Sequence, residues 1–202
     1  MTATKTTVPV AVFLSGGGRS LQNLIDHQQK GMLSGIELRL ALSSSSKVRG
    51  VEVAANAGIE THVVLKSAHT DPDAYTEAMF GPCRAKGIQL VVMAGFLKHV
   101  SIPNDYAGRV INIHPSLLPS FGGAGMYGNR VHQAALDRGV QFSGCTVHYV
   151  DNDYDNGPII LQRCCTVAHD DTADSLAARV FQMECEALPT ALLEAASVLQ
   201  QH

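Results

Sequence analysis

The chain has 202 residues, 46% of them apolar and 16% charged, and a formal net charge of −3. That length suits one domain, 1–202, with a sizeable core, and the composition excludes an intrinsically disordered chain. The acidic balance argues against a protein whose main task is gripping nucleic acid, and no apolar run reaches the roughly 18 residues of a membrane span.

In chain order, Met1 to Val8 is threonine-rich and lacks an apolar core with a small-residue cleavage site, so it reads as a short lead-in. Val8 to Leu14 is a continuous apolar run of the kind that forms a buried parallel strand. A glycine turn, S-G-G-G-R-S over 15–20, follows, and Leu21, Leu24 and Ile25 then carry helical spacing to Lys30-Gly31. Ile36 to Leu42 is a second strand. Val48 to Ala57 is a helix closed by Gly58, and His62 to Leu65 a short third strand. Asp71-Pro72 opens a helix to about Ala85, Gln89 to Ala94 is a fourth strand, and a helical turn begins near Ile102-Pro103.

Val110 to Ile113 is the fifth strand. A long glycine-bearing loop runs from Pro115 to Asn129, a length that in compact domains points to function or mobility. Arg130 to Arg138 is helical. Ser143 to Val150 alternates as a strand, Asp151 to Gly157 is an acidic turn, and Ile159 to Val167 pairs back antiparallel. Asp171 or Thr172 caps a final helix with Leu176, Val180 and Met183 on one stripe and Pro189 as a kink or break. Strands alternating with helices predict an α/β fold: an open, mostly parallel twisted sheet with helices on both faces and an antiparallel C-terminal addition.

Three features carry chemistry. Glycines in the first loop let the backbone approach an anion at a helix N-terminus, where free N–H groups and the positive dipole end lie. Arg19 could add a charge-assisted contact. The loop fits neither a dinucleotide fingerprint, because Leu21 stands where the third glycine belongs, nor a Walker loop. An unliganded glycine turn is the other reading. Asn112 and His114, two apart at the end of a strand, share a face. They are read equally as oxyanion donor with general acid–base or as two capping residues. Asp155, in D-N-D-Y-D-N-G-P, is either a carboxylate partner that favours an imidazolium or part of an ordinary acidic turn. Calcium is rejected, because Gln162 stands at the twelfth position where an EF-hand loop needs Glu. His148 reads as a core or second-layer histidine, and Cys145 as a small buried side chain on the opposite strand face. The five cysteines, an odd number with no C-x-x-C, predict reduced thiols in a cytoplasm and no zinc site.

V-F-L-S-G-G-G-R-S-L-Q-N-L-I-D, V-V-M-A-G-F-L-K-H-V-S, V-I-N-I-H-P-S-L-L-P-S-F and D-N-G-P-I-I-L-Q together resemble the formyltransferases that use 10-formyltetrahydrofolate. The glycine loop and the chain length select the branch that formylates phosphoribosylglycinamide (GAR) in purine biosynthesis. The resemblance implies a Rossmann-like formyltransferase fold with 10-formyltetrahydrofolate and GAR as the small-molecule substrates, no metal, and no nucleic-acid or membrane partner. A homodimer is left open. Asn112 and His114 would contact the formyl group and Asp155 would hold His114 in its useful protonation state. Leu97, Lys98, His99 and Val100, with Asn112 and with Asp151, Asn152, Asp153, Tyr154 and Asp155, would line the folate pocket. Gly18, Arg19 and Ser20 would hold the substrate phosphate, and Pro115 and Glu184 would touch GAR.

Two departures stand out. The commonest family loop reads G-S-N-L and here it is G-R-S-L, which keeps a small polar donor and adds a charge. The stretch after L-L-P-S-F is a longer, glycine-rich variant that could reshape the substrate side as a lid. Of the related enzymes, methionyl-tRNA formyltransferase would need a further C-terminal domain and a more basic surface, and formyltetrahydrofolate deformylase an extra N-terminal domain. A sugar-nucleotide formyltransferase leaves the phosphate loop without a purpose. A silent folate- or nucleotide-binding protein would have no need of Asn112, His114 and Asp155 together.

Overall fold

A computed structural model describes residues 7–201, so all but the end of the lead-in lies outside the described residues. The elements are β1 (Val8–Leu14), α1 (Arg19–Gln29), β2 (Ile36–Ser43), α2 (Arg49–Asn56), β3 (Glu60–Val63), α3 (Pro72–Ala85), β4 (Leu90–Met93), β5 (Val110–His114), α4 (Asn129–Arg138), β6 (Phe142–Tyr149), β7 (Ile159–Thr166) and α5 (Ala173–Leu199). The strands form one mixed sheet in the order β3-β2-β1-β4-β5-β6-β7. β1 pairs in parallel with β2 and β4, and β2 with β3. β5–β6 and β6–β7 are antiparallel. Two compact units make up the described chain: one runs through Val110 and resumes at Ala195, the other is Ile111–Glu194.

In the first unit the apolar run of β1 is buried at every position, as a strand covered on both faces requires. Phe13 stacks edge-on against Phe80 of α3, with ring centroids 5.4 Å apart, and Phe80 meets Tyr106 at 4.9 Å. Burying one such ring stabilises the fold by roughly 1.5–3 kcal/mol. α1 buries Leu21, Leu24 and Ile25, the i, i+3, i+4 face read from the sequence. Asp71 caps α3, accepting from the N–H groups of Asp73 and Ala74 at 3.2 and 3.1 Å, with Pro72 in the first turn. Strand order reverses between β1 and β4, and loops leaving the carboxyl ends of strands at such a switch point are where open α/β sheets bind ligands.

In the second unit α5 is capped by Thr172. Its Oγ1 accepts from Ser175 N at 3.2 Å, while Ser175 Oγ accepts from Thr172 N at 2.9 Å. Asp171 instead pairs with Arg179, which settles the two expected caps.

Three expectations change: the bounds of β3, the break at Pro189 and the place of Met183. β3 starts two residues early, at Glu60, and Leu65 lies outside it, before a single 3₁₀ turn, Lys66–Ala68. Pairing with β2 from Leu40↔Glu60 onward sets that start, which the alternation in a four-residue strand does not reveal. α5 runs unbroken through Pro189. The proline removes one donor from the ladder, but buried Ala187, Leu188, Ala191 and Leu192 hold the helix on both sides of it. Met183 is half-buried, and the stripe passes from Leu176 and Val180 to Ala187 and Ala191, all fully buried.

The glycine loop is fixed by backbone packing. Gly18 has φ 70°, and a Cβ on it would fall 2.6 Å from Gly50 Cα of α2, whereas a Cβ on Gly16 would meet nothing within 4 Å. Left-handed backbone alone costs a non-glycine residue about 1–2 kcal/mol. Gly18→Ala should therefore lower the thermal midpoint by several degrees while Gly16→Ala leaves it within a degree or two, as read by calorimetry; equal midpoints for the two variants would contradict the packing described.

Candidate active site

The β5–β6 register builds the centre of the second unit. Asn112 lies opposite His148 and His114 opposite Thr146, and because alternate residues share a face, all four side chains are neighbours. Asn112 Nδ2 lies 3.1 Å from His148 Nε2. His148 Nδ1 lies 2.8 Å from the carbonyl oxygen of Tyr149. His114 Nδ1 is 3.5 Å from Asp155 Oδ1, and His148 Nε2 is 3.8 Å from the same oxygen. Asp155 therefore stands between two imidazoles. His114 is 4% exposed and His148 1%.

The loop after β5 closes over this group. Phe121 O accepts from His114 Nε2 at 2.9 Å, and Gly123 N donates to Asp155 Oδ2 at 2.9 Å. Phe121 and Asp155 both have positive φ, 55° and 52°. Gly122 fits because a Cβ there would fall 3.2 Å from Asp155 Cβ and 2.6 Å from Leu118 Cδ2. Thr146 holds the base of the loop: its Oγ1 donates to Ser116 O at 2.7 Å and accepts from Leu118 N at 3.0 Å and Gln162 Nε2 at 2.9 Å. The acidic turn is organised by Asp151, whose carboxylate accepts from Asp153 N and Asn156 Nδ2, and this frees Asp155 to point inward. Asn152, Asp153 and Tyr154 are exposed on that turn. Pro115 and Glu184 are half-buried. Glu184 adds to the burial that pushes the Cys145 thiol up to about 12. Among the described residues no three His, Cys, Asp or Glu side chains are arranged to hold a metal ion.

The remaining expected residues lie in the first unit. Gly18 is the N-cap of α1, with no side chain capping the helix. Arg19, exposed, and Ser20, half-buried, are its first residues. The loop after β4 is tied to the glycine loop through Ser15: Ser15 N donates to Gly95 O at 3.1 Å and Leu97 N donates to Ser15 Oγ at 2.9 Å. That tether leaves the Leu97 side chain 56% exposed, with Lys98 and His99 exposed and Val100 buried beside it. Lys66 Nζ donates to His99 O.

His148 is the residue that the sequence undervalues. Its pairing with Asn112 depends on a cross-strand register, which one strand's pattern does not contain. Burial holds His148 below its ordinary value. His132 of α4 is also held low, first by burial and then by nearby His114, and its Nδ1 has no hydrogen-bond partner among the described residues.

A family model described as formyl transferase matches residues 8–192, and the chain belongs to that family. Within it, the chain is 36% identical over 177 residues to phosphoribosylglycinamide formyltransferase of Escherichia coli (strain K12), covering 87% of this chain and 81% of that one. It is 37% identical over 178 residues to the chloroplastic phosphoribosylglycinamide formyltransferase of Vigna unguiculata, covering 87% of this chain. This chain spans 56% of that relative's length. Glycinamide ribonucleotide transformylase 1 from Symbiobacterium toebii superposes with a TM-score of 0.88 at 32% identity, over 95% of this chain and 89% of that one.

Two buried histidines kept neutral give stability an acid dependence. Below the ordinary imidazole value of 6.5 the unfolded chain binds protons that folded His132 and His148 resist, so stability falls as pH drops through that region and returns above it. Denaturant midpoints taken from about pH 7.5 down to about pH 5 should decline, and His132→Gln should flatten the decline; an unchanged slope in that variant would remove His132 from the account.

Proposed function

We propose that this chain transfers a formyl group from 10-formyltetrahydrofolate to the primary amine of GAR, a step of de novo purine biosynthesis, with residues 1–202 acting as one formyltransferase domain. What supports the reading most is the set of buried His114 with half-buried Asn112 and Asp155 in a member of the formyl transferase family. An amide donor beside an imidazole backed by a carboxylate is what acyl transfer to an amine needs. The amine attacks the formyl carbon, the new C–N bond forms, and the carbonyl oxygen takes up negative charge. The bond to N10 then breaks as N10 gains a proton and the former amine loses one.

Asn112 donates to the oxygen on which charge develops, a contribution of about 2.7–4 kcal/mol in comparable sites. His114, with acceptors facing both ring nitrogens, serves as the proton donor, and Asp155 orients the ring. Its Nε2 gives up the bond to Phe121 O when substrate takes that place. Gly18, Arg19 and Ser20 hold the phosphate through the uncapped helix terminus, and Pro115 and Glu184 contact GAR. The folate lies on Leu97, Lys98, His99 and Val100 and on the turn Asp151, Asn152, Asp153, Tyr154 and Asp155. The reading places the enzyme in the cytoplasm, and it requires no metal.

Purified protein should convert GAR and 10-formyltetrahydrofolate to formyl-GAR and tetrahydrofolate. Asn112→Ala and His114→Ala should each lower kcat by at least about 10²-fold in protein that circular dichroism shows to be folded at the assay temperature. Turnover with a different amine acceptor and none with GAR would overturn the acceptor and keep the reaction class.

A further inference from the structure

The contacts of His148 assign it a part in the reaction, if the proposed formyl transfer holds. A backbone carbonyl only accepts, so the 2.8 Å contact to Tyr149 O places a hydrogen on Nδ1. That carbonyl is itself pinned: a Cβ at Gly157 would fall 1.9 Å from Tyr149 O, so only glycine lets the chain after the acidic turn pack there. A neutral ring with its hydrogen on Nδ1 has a bare Nε2, which accepts. The Asn112 group 3.1 Å away must then be the amide nitrogen and not the amide oxygen. Asn112 Nδ2 carries two hydrogens. One goes to His148, and the second has no hydrogen-bond partner among the described residues. The charged and titratable groups around His148 are Asp155, His114 and Asp151, and burial outweighs the two carboxylates in holding the ring neutral.

We propose that His148 is a positioning residue for formyl transfer: held by the Tyr149 carbonyl, it fixes the Asn112 carboxamide with its nitrogen inward, so that the second N–H of Asn112 meets the formyl oxygen as charge develops there. A carboxamide without that acceptor can turn over and present its oxygen, which would repel an oxyanion. The chain of control runs from Gly157 through Tyr149 O and His148 to Asn112.

Glutamine can present an amide oxygen near the place of Nε2, and leucine presents no acceptor. His148→Leu should lower kcat by about 10- to 100-fold, since a misplacement of about 1 Å in such a group costs up to about 10²-fold, with KM for either substrate changed less than about 3-fold. His148→Gln should recover most of that loss. Neither variant should move the limbs of the pH profile, because His148 is assigned an accepted hydrogen bond from Asn112 and no proton transfer. Asn112→Ala/His148→Leu should be no slower than Asn112→Ala alone.

A readout independent of turnover is the Asn112 side-chain amide in a ¹⁵N–¹H spectrum. Its two protons should be well separated, with one protected from exchange, in the parent and in His148→Gln, and should converge in His148→Leu. Additive losses in the double variant, a shifted acid limb, equal activity of Leu and Gln, or an Asn112 amide indifferent to His148 would each overturn the proposal. If the parent fails to formylate GAR, only the acceptor assignment fails, and the amide spectra still decide the role of His148.

Discussion

The antiparallel register between β5 and β6 is the constraint on which the chemistry of the second unit depends. It sets Asn112 against His148 and His114 against Thr146. A slip of one residue would turn every side chain of β5 to the other face, exchanging Asn112 and His114 for Ile111 and Ile113. The register is held from both sides: Ile111, Cys145 and Val147 are fully buried, and Thr146 is committed to Ser116, Leu118 and Gln162. Apolar burial thus fixes which face carries the polar pair. The polar partners of Thr146 fix where the following loop begins, and that loop ends up bonded to His114 and Asp155.

The first unit reaches its shape by a different route. No side chain caps α1, and the loop before it is held by Gly18 against Gly50, by Gly50 N donating to Gly16 O, and by Ser15 spanning to Gly95 and Leu97. A loop made this way keeps the helix N–H groups unspent by capping side chains, which is the condition for an anion to use them.

Much of this was legible in the sequence because it rests on local pattern. The apolar run of β1, the Leu21–Leu24–Ile25 face, the Asp71-Pro72 start and the alternation of β6 each appear as elements close to where they were read. Asn112 and His114 were legible as a pair because two residues on one strand share a face whatever lies opposite. What stayed hidden depends on partners distant in the chain. The start of β3 at Glu60 is set by β2, and the continuity of α5 through Pro189 by burial of the alanines and leucines around it. His148 reads as a core or second-layer histidine because its own strand says only that it is buried. Its meaning comes from Asn112, 36 residues earlier. The long loop shows its glycines but not their purpose, since a Cβ at Gly122 would crowd both Leu118 and Asp155, the latter on a turn more than thirty residues away.

Asp155 explains why the loop and the site form one structure. A carboxylate with little access to water is costly unless donors surround it. Oδ2 receives the Gly123 N–H, and Oδ1 faces His114. The loop residue therefore supplies part of what stabilises the charge, and the charge in turn anchors the loop, whose Phe121 carbonyl orients His114. If the Phe121–Gly123 segment moved away, Asp155 would lose a donor and His114 an acceptor in the same step. Orientation of the imidazole, compensation of the carboxylate and closure of the loop are consequently set by shared hydrogen bonds, and a change to any one of them must alter the other two.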